Sequence, residues 1–255
     1  MEIEHKCITI IGASGHGKVC ADIARLNGYE KIQFLDDDPA VTHCGEYEVI
    51  GNTDYVPAGD LFVAIGNNEI RKKFCEEYKE LLVALIHPSA VIAEGVTLGT
   101  GTVVMADAVI NPGSVIGDGC IINTASSVDH DNVIGNFTHI AVGAHTAGTV
   151  KIGECVWLGI GAIVSNNVNI CSGCVIGAGA VVIKDIVEAG TYIGVPAKKM
   201  EEKLNKSATK WGGGVKQNAI SYSIARVSLD LWRPQHERPL YYRSRWVWQR
   251  SRMAC

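Results

Sequence analysis

The chain has 255 residues, 47% of them hydrophobic and 20% charged, with a formal net charge of −4. That length can bury a core in one large domain or two smaller ones, and the acidic balance leaves no basic footprint for nucleic acid. Apolar runs are broken by Gly, Asp or Asn every few residues, short of the roughly 20 needed to span a bilayer, so no membrane span is expected. MEIEHKCITI is acidic and leads straight into a strand, unlike a secretory leader.

In chain order, Cys7-Ile-Thr-Ile-Ile11 reads as a buried strand and Gly12-Ala-Ser-Gly15-His16-Gly17 as a turn. A helix follows from Lys18 to Asn27, with Val19, Ile23 and Leu26 on one face and Gly28 as its stop. Ile32 to Leu35 is a second strand, closed by Asp36-Asp37-Asp38-Pro39, and Asp60 to Ile65 a third, followed by Gly66-Asn67-Asn68 and a helix from about Glu69 to Glu80. This is a small βαβ domain. Its glycine turn at a helix N-terminus suits a phosphate, and the acidic residues at the next strand end could hold a ribose. The order GxxGxG is not the dinucleotide pattern GxGxxG. The turn is therefore either a nucleotide or nucleotide-sugar site, or a tight connection with no ligand.

From Ile92 the period becomes six: Ile92, Leu98, Val104, Ile110, Ile116, Ile122, Val128, Ile134, Ile140, Thr146, Ile152, Leu158, Val164, Ile170, Ile176 and Val182. A helix repeats at 3.6 and a lone strand at 2. A strict six demands a coil with flat faces, the hexapeptide pattern of a parallel β-helix. Two residues before each aliphatic stands a mostly small one, from Ala90 to Ala180, which also faces inward. Gly at 99, 117, 135, 153, 159 and 177 falls near the corners, where positive φ is expected. Three hexapeptides make a turn, giving about five turns.

After Met200 the period is lost, and residues 201–255 hold seven of the nine arginines and four of the five tryptophans. That tail is read either as a partner-binding or membrane-surface segment, or as a disordered stretch translated outside the natural reading frame. The nine cysteines are odd in number and scattered through strand-like segments, which favours buried reduced thiols in a cytoplasmic protein. Cys171-Ser-Gly-Cys174 is formally a CxxC, but no second Cys/His pair stands at metal-ligand spacing, so no metal is expected.

The segments IGASGHGKV, FLDDD, AIGNNEIRKKF, LIHPSAVI, INTASSVDHDNVIG and GVPAKKM together resemble the bacterial nucleotide-sugar acetyltransferases of the hexapeptide-repeat superfamily. Within it the resemblance is to the UDP-4-amino-sugar N-acetyltransferases of bacillosamine biosynthesis (PglD-like), with the sialic acid O-acetyltransferases (NeuD-like) as close relatives. It covers about Cys7 to Met200. It implies an α/β Rossmann-like nucleotide-sugar-binding domain over 1–86 and a left-handed parallel β-helix over 87–200. It further implies a homotrimer with active sites between subunits, and direct transfer of acetyl from acetyl-CoA to the 4-amino group of a UDP-4-amino-4,6-dideoxy sugar. The product would be UDP-N,N′-diacetylbacillosamine, which feeds protein glycosylation.

The site residues follow from that resemblance position by position. His130, between Asp129 and Asp131, matches the general base. Its inward neighbour is Val128, so position 130 projects from the coil, and an imidazole near its ordinary pKa of about 6.5 can take the proton of an attacking amine. Asp129 is expected to orient the ring, and Asp131 to be a solvated corner residue. Asn123 matches a residue near the reacting centre. His139, Ile160 and Ala178 match acetyl-CoA contacts, and Gly15, His16, Asp36, Asp37 and Gly66 match the UDP-sugar site. Sugar O-acetylation and a non-catalytic β-helix scaffold are the competing functions.

Overall fold

The computed structural model describes residues 6–201. All of the tail except Glu201 lies outside the described residues. The first elements are β1 (Cys7–Ile11), α1 (Gly15–Leu26), β2 (Lys31–Leu35), β3 (His43–Cys44), β4 (Tyr47–Gly51), β5 (Asp60–Val63) and α2 (Asn68–Glu77). Their sheet runs β3-β4-β2-β1-β5. Strands β1, β2, β4 and β5 are parallel, and β3 closes the edge antiparallel to β4. Parallel strands put their carboxyl ends on one edge, where α/β sheets hold ligands.

Two local expectations differ from this. Helix α1 begins at Gly15, not Lys18, after Ser14 at its N-cap. The glycine stretch thus forms the first helical turn as well as the connection. Gly17 must lack a side chain, because a Cβ there would collide with the Gly12 carbonyl and stand 3.0 Å from Phe34 Cε1. The β3–β4 hairpin, from a polar stretch with no strand pattern, was not anticipated.

From Leu85 the chain winds as a parallel β-helix of two-residue strands, each pairing with the strand eighteen residues on. Leu85–Ile86, Val103–Val104, Ile121–Ile122, His139–Ile140, Trp157–Leu158 and Val175–Ile176 make the first face. The second runs from Val91–Ile92 to Val181–Val182 and the third from Thr97–Leu98 to Asn169–Ile170. The second residue of each strand points inward, and these form one column from Val104 to Val182. Thr146, the one exception to the aliphatic pattern, is buried in it too.

The corners depart from expectation in an instructive way. Positive φ falls at every sixth residue from Gly95 to Gly179, three places after each inward aliphatic, with φ between 54° and 82°. Seven of these residues are not glycine, Asp131 and Phe137 among them. The glycines at 99, 117, 135, 153, 159 and 177 have no such φ. They are small because successive layers touch there: a Cβ on Gly135 would lie 2.6 Å from the carbonyl carbon of Gly153.

The outward residues Leu85, Val103 and Ile121 of the first face are buried under the α/β sheet, in one cluster with Ile8, Ile10, Phe34 and Phe62. A second cluster joins Leu61, Val63, Cys75 and Leu82 to Phe137. Among the described residues no helix is long and apolar enough to cross a membrane. Adjacent coil residues should respond oppositely to truncation. Ile152→Ala should lower the unfolding free energy by about 2–5 kcal/mol, whereas Lys151→Ala, on the outer surface, should change it by less than about 0.5 kcal/mol. Urea denaturation measures both, and equal effects would contradict the inward–outward assignment.

Candidate active site

His130 stands on the corner between Ser127–Val128 and Val133–Ile134, exposed to solvent. Its Nδ1 lies 2.8 Å from Asp131 Oδ2. Asp129 turns the other way: its Oδ1 accepts from the His130 backbone N–H at 2.8 Å and from Asn111 Nδ2 at 2.7 Å. The expected ring-orienting partner was Asp129, and the structure gives that contact to Asp131. The reason is local. Asp131 occupies the left-handed corner position, φ 58°, which Asp tolerates better than most residues. Both bonds to Asp129 favour its ionised form and lower its pKa, Asn111 most. The imidazole pKa is raised, first by the bond to Asp131 and then by the charge of Asp129. With Nδ1–H donated to a carboxylate, Nε2 is left as the basic nitrogen. Nε2 sits against Gly148 in the next layer, where any Cβ would overlap the ring.

His139 and Asn123 occupy different ground. His139 is the outward residue of its first-face strand, and Asn123 follows the strand one layer below. Asn123 Oδ1 accepts from the Thr124 N–H at 2.8 Å, so its Nδ2 donates to His139 Nε2 at 3.1 Å. That bond requires a neutral imidazole. Burial, then the charges of Arg71 and His16, push the His139 pKa down to about 3. The His139 ring lies nearly parallel to Trp157, 13° between planes and 6.1 Å between centroids. Ile160 and Ala178 are exposed and stack at eighteen-residue spacing on the next corner, above exposed Val142.

The sheet's carboxyl edge adjoins this region. Gly15 and His16 form the first turn of α1, and the His16 pKa is lowered to about 4 by burial and by Arg71. Asp36 Oδ2 accepts from the Ala13 N–H at 2.8 Å, which ties the end of β2 to the glycine turn. Asp37 Oδ1 holds the Thr53 N–H and hydroxyl at 3.0 and 2.7 Å. Gly66 follows β5, and Asn68, the first residue of α2, donates to the Val156 carbonyl beside Trp157.

One chain therefore gathers Asn123, His139, Ile160 and Ala178 along the first face and its following corner, with His16 near His139 and Gly66 joined to the coil through Arg71. It puts the His130 group on the next corner of the coil. His130 and Asn123 share no hydrogen-bonding partner among those described.

The comparisons agree with this architecture. A family model described as the PglD N-terminal domain matches residues 7–78. The UDP-N-acetylbacillosamine N-acetyltransferase of Bacillus subtilis (strain 168) is 33% identical over 112 residues, 40% of this chain and 52% of the relative. The match thus spans about half the length of that curated relative. The acetyltransferase domain of PglB from Neisseria gonorrhoeae FA1090, in complex with acetyl coenzyme A, is 42% identical with a TM-score of 0.73, over 77% of this chain and 100% of that one. The chain belongs to the hexapeptide-repeat acetyltransferase family. PerB from Caulobacter crescentus, in complex with CoA and GDP-perosamine, is 40% identical with a TM-score of 0.72, over 76% of this chain and 97% of that one. The coil is accordingly the left-handed form of the β-helix.

Among the described cysteines, Cys75, Cys120, Cys155 and Cys174 are not poised for acyl transfer. The eight described cysteines are free, and burial pushes Cys75 and Cys155 up to about 11 and Cys120 and Cys174 up to about 12. A thiol held so far above neutrality is a poor nucleophile. Cys171 and Cys174 bring their sulfurs to 3.5 Å inside the last layers.

Sequence reasoning missed Arg71, Trp157 and Val142. The signal for Val142 was available, since it lies eighteen residues before Ile160. Arg71 gave none, because charged residues on a polar helix read as solvated.

The revised partnership predicts that Asp131→Asn lowers the His130 pKa toward its ordinary value, because a neighbouring anion favours the imidazolium. Asp129→Asn should lower it less. NMR titration of the His130 ring measures both, and a larger drop in Asp129→Asn would restore Asp129 as the partner.

Proposed function

We propose that this chain transfers acetyl from acetyl-CoA to the 4-amino group of a UDP-4-amino-4,6-dideoxy-N-acetyl sugar, giving UDP-N,N′-diacetylbacillosamine. The α/β part binds the nucleotide sugar through Gly15, His16, Asp36, Asp37 and Gly66. The coil, which begins at Leu85, binds acetyl-CoA through His139, Ile160 and Ala178, and the exposed apolar column at Val142, Ile160 and Ala178 suits the donor's extended arm. The relatives support the donor and the class of acceptor: one complex holds acetyl coenzyme A, another CoA with GDP-perosamine.

The observation that carries the reading is the imidazole of His130, anchored at Nδ1 by a carboxylate, with no hydrogen bond to Nε2 among the described residues. The neutral amine attacks the thioester carbonyl carbon while Nε2 takes the amine proton. The carbon–sulfur bond then breaks, and the imidazolium returns the proton to the departing thiolate. Asp131 holds the ring and stabilises the imidazolium, and Asp129 adds a second negative charge beside it. Asn123 and His139 line the reacting centre. Since they stand on a different corner from His130, a site that uses all three is completed by a second subunit, in keeping with a homotrimer.

In a thiol-release assay with acetyl-CoA and the UDP-4-amino sugar, His130→Ala should lower kcat by about 10²–10⁴-fold. The wild-type kcat/KM should fall on the acid side through a pKa above about 6.5, because the His130 pKa is raised. Raising pH should partly restore His130→Ala, since more of the amine is then neutral without help. A variant at the wild-type rate at pH 7, with chemistry rate-limiting, would reject His130 as the base. Loss of activity with no recovery at high pH would point to a hydroxyl acceptor.

A further inference from the structure

Asn132 occupies an inward position of the coil that is elsewhere apolar or hydroxylated. Its side chain is fully buried. Hydroxyls in this column donate one bond each, and those of Thr102, Ser114 and Thr138 also accept one, from the N–H eighteen residues on. Thr102, Ser114 and Thr138 donate to the carbonyl fifteen residues on, at Gly117, Asp129 and Gly153, with distances of 2.8, 2.8 and 2.9 Å. Ser126 donates back to its own corner, at the Asn123 carbonyl. The Asn132 amide does both. Its Nδ2 reaches Ala147 O fifteen residues on at 2.9 Å, and Asp129 O and His130 O at 2.7 and 3.1 Å.

These contacts surround the corner that presents the imidazole. The Asp129 carbonyl also accepts from Ser114, and the Asn132 backbone N–H donates to that same hydroxyl at 3.2 Å. The His130 carbonyl also accepts from the Thr149 N–H at 2.9 Å. The corner is thereby fixed to the layers on both sides. The arrangement carries a cost: Asn132 Oδ1 is buried and accepts nothing among the described residues. An orphaned amide oxygen destabilises a core, and a serine or alanine here would not incur that cost. Three carbonyls around one end of the amide settle which end is nitrogen.

We infer that Asn132 is a positioning residue for His130: one buried amide clamps the Asp129 and His130 carbonyls to Ala147 in the next layer and sets the direction in which the imidazole leaves the coil. The inference rests on the reading of His130 as the base. It assigns a local stability defect to a function. The orphan oxygen persists because a single hydroxyl proton cannot hold three carbonyls at once.

The test uses the full chain with Asn132→Ser. Serine is already accommodated at this place one layer below, at Ser114, and at the equivalent inward position of the neighbouring face, at Ser126, so the coil should fold, with a urea midpoint no lower than wild type. Two readouts are taken: the NMR titration of the His130 ring, and kcat with both KM values. Loosening the corner weakens the His130–Asp131 contact, so the titration should move toward the ordinary histidine value. The rate should fall by about 10–100-fold with both KM values kept, since misplacement on the order of 1 Å can cost 10²-fold. If neither the titration nor kcat changes, the inference is wrong. It is equally wrong if the urea midpoint and both KM values collapse together with kcat, for Asn132 is then only structural. If the titration moves while kcat stays at wild type, Asn132 does position the ring, and the general-base reading of His130 is what fails.

Discussion

Arg71 has its whole side chain buried. Its guanidinium donates from Nε to Gly119 O at 2.7 Å and from Nη2 to Phe137 O at 2.7 Å, both on coil corners. Its other bonds reach Ile65 O, Gly66 O and Asn68 Oδ1 on the α/β side. A buried cation costs several kcal/mol unless its donors are satisfied, and here every acceptor is a neutral oxygen. The sheet and the coil are therefore joined by a group that tolerates little sliding between them. Phe137 shows the same constraint from the coil side. Its φ of 58° is unfavourable for a bulky residue. Its ring is buried against α/β side chains and its carbonyl is held by Arg71. Docking of the sheet and the shape of that corner support each other.

The same charge shapes the chemistry nearby. Arg71 adds to burial in lowering the pKa of His16 and of His139, so both imidazoles are neutral at physiological pH. His130, on an exposed corner between two carboxylates, is shifted the opposite way. Three histidines thus have their pKa values moved in opposite directions by their surroundings alone. The two neutral rings face the proposed ligand region, and the exposed ring is the one able to take a proton near neutrality. A coil of this kind suits such a division. Its inward column is fixed by the period, and its corners are free to carry polar groups that the core would reject.

The coil was legible because a strict period of six leaves little else for the chain to do, and the outward direction of His130 followed from Val128 facing in. The corners were read less well. Which residue adopts positive φ depends on how the strand turns, and seven non-glycine residues take that role, so glycine content was a poor guide. The corner glycines answer to contact between layers, a distance of eighteen residues that a local reading does not sense. Asp129 was expected as the partner of His130 from the family resemblance, which does not sense the layer spacing either. Adjacent in sequence, it is claimed across the layers by Asn111, while Asp131 at the left-handed position meets the ring. Arg71 and Asn132 escaped notice for a common physical cause. Both are polar residues buried by partners remote in sequence, Gly119 and Phe137 for one and Ala147 for the other.

The central claim is acyl transfer to nitrogen on a nucleotide-linked sugar. The most direct measurement is NMR of the product formed from UDP-4-amino-4,6-dideoxy-N-acetylglucosamine and acetyl-CoA labelled with carbon-13 at the acetyl carbonyl. The account predicts one labelled amide carbonyl coupled to the proton on the C4 nitrogen, with one free thiol released per amide formed. Label found only as free acetate, or as an ester on a sugar hydroxyl, would contradict it.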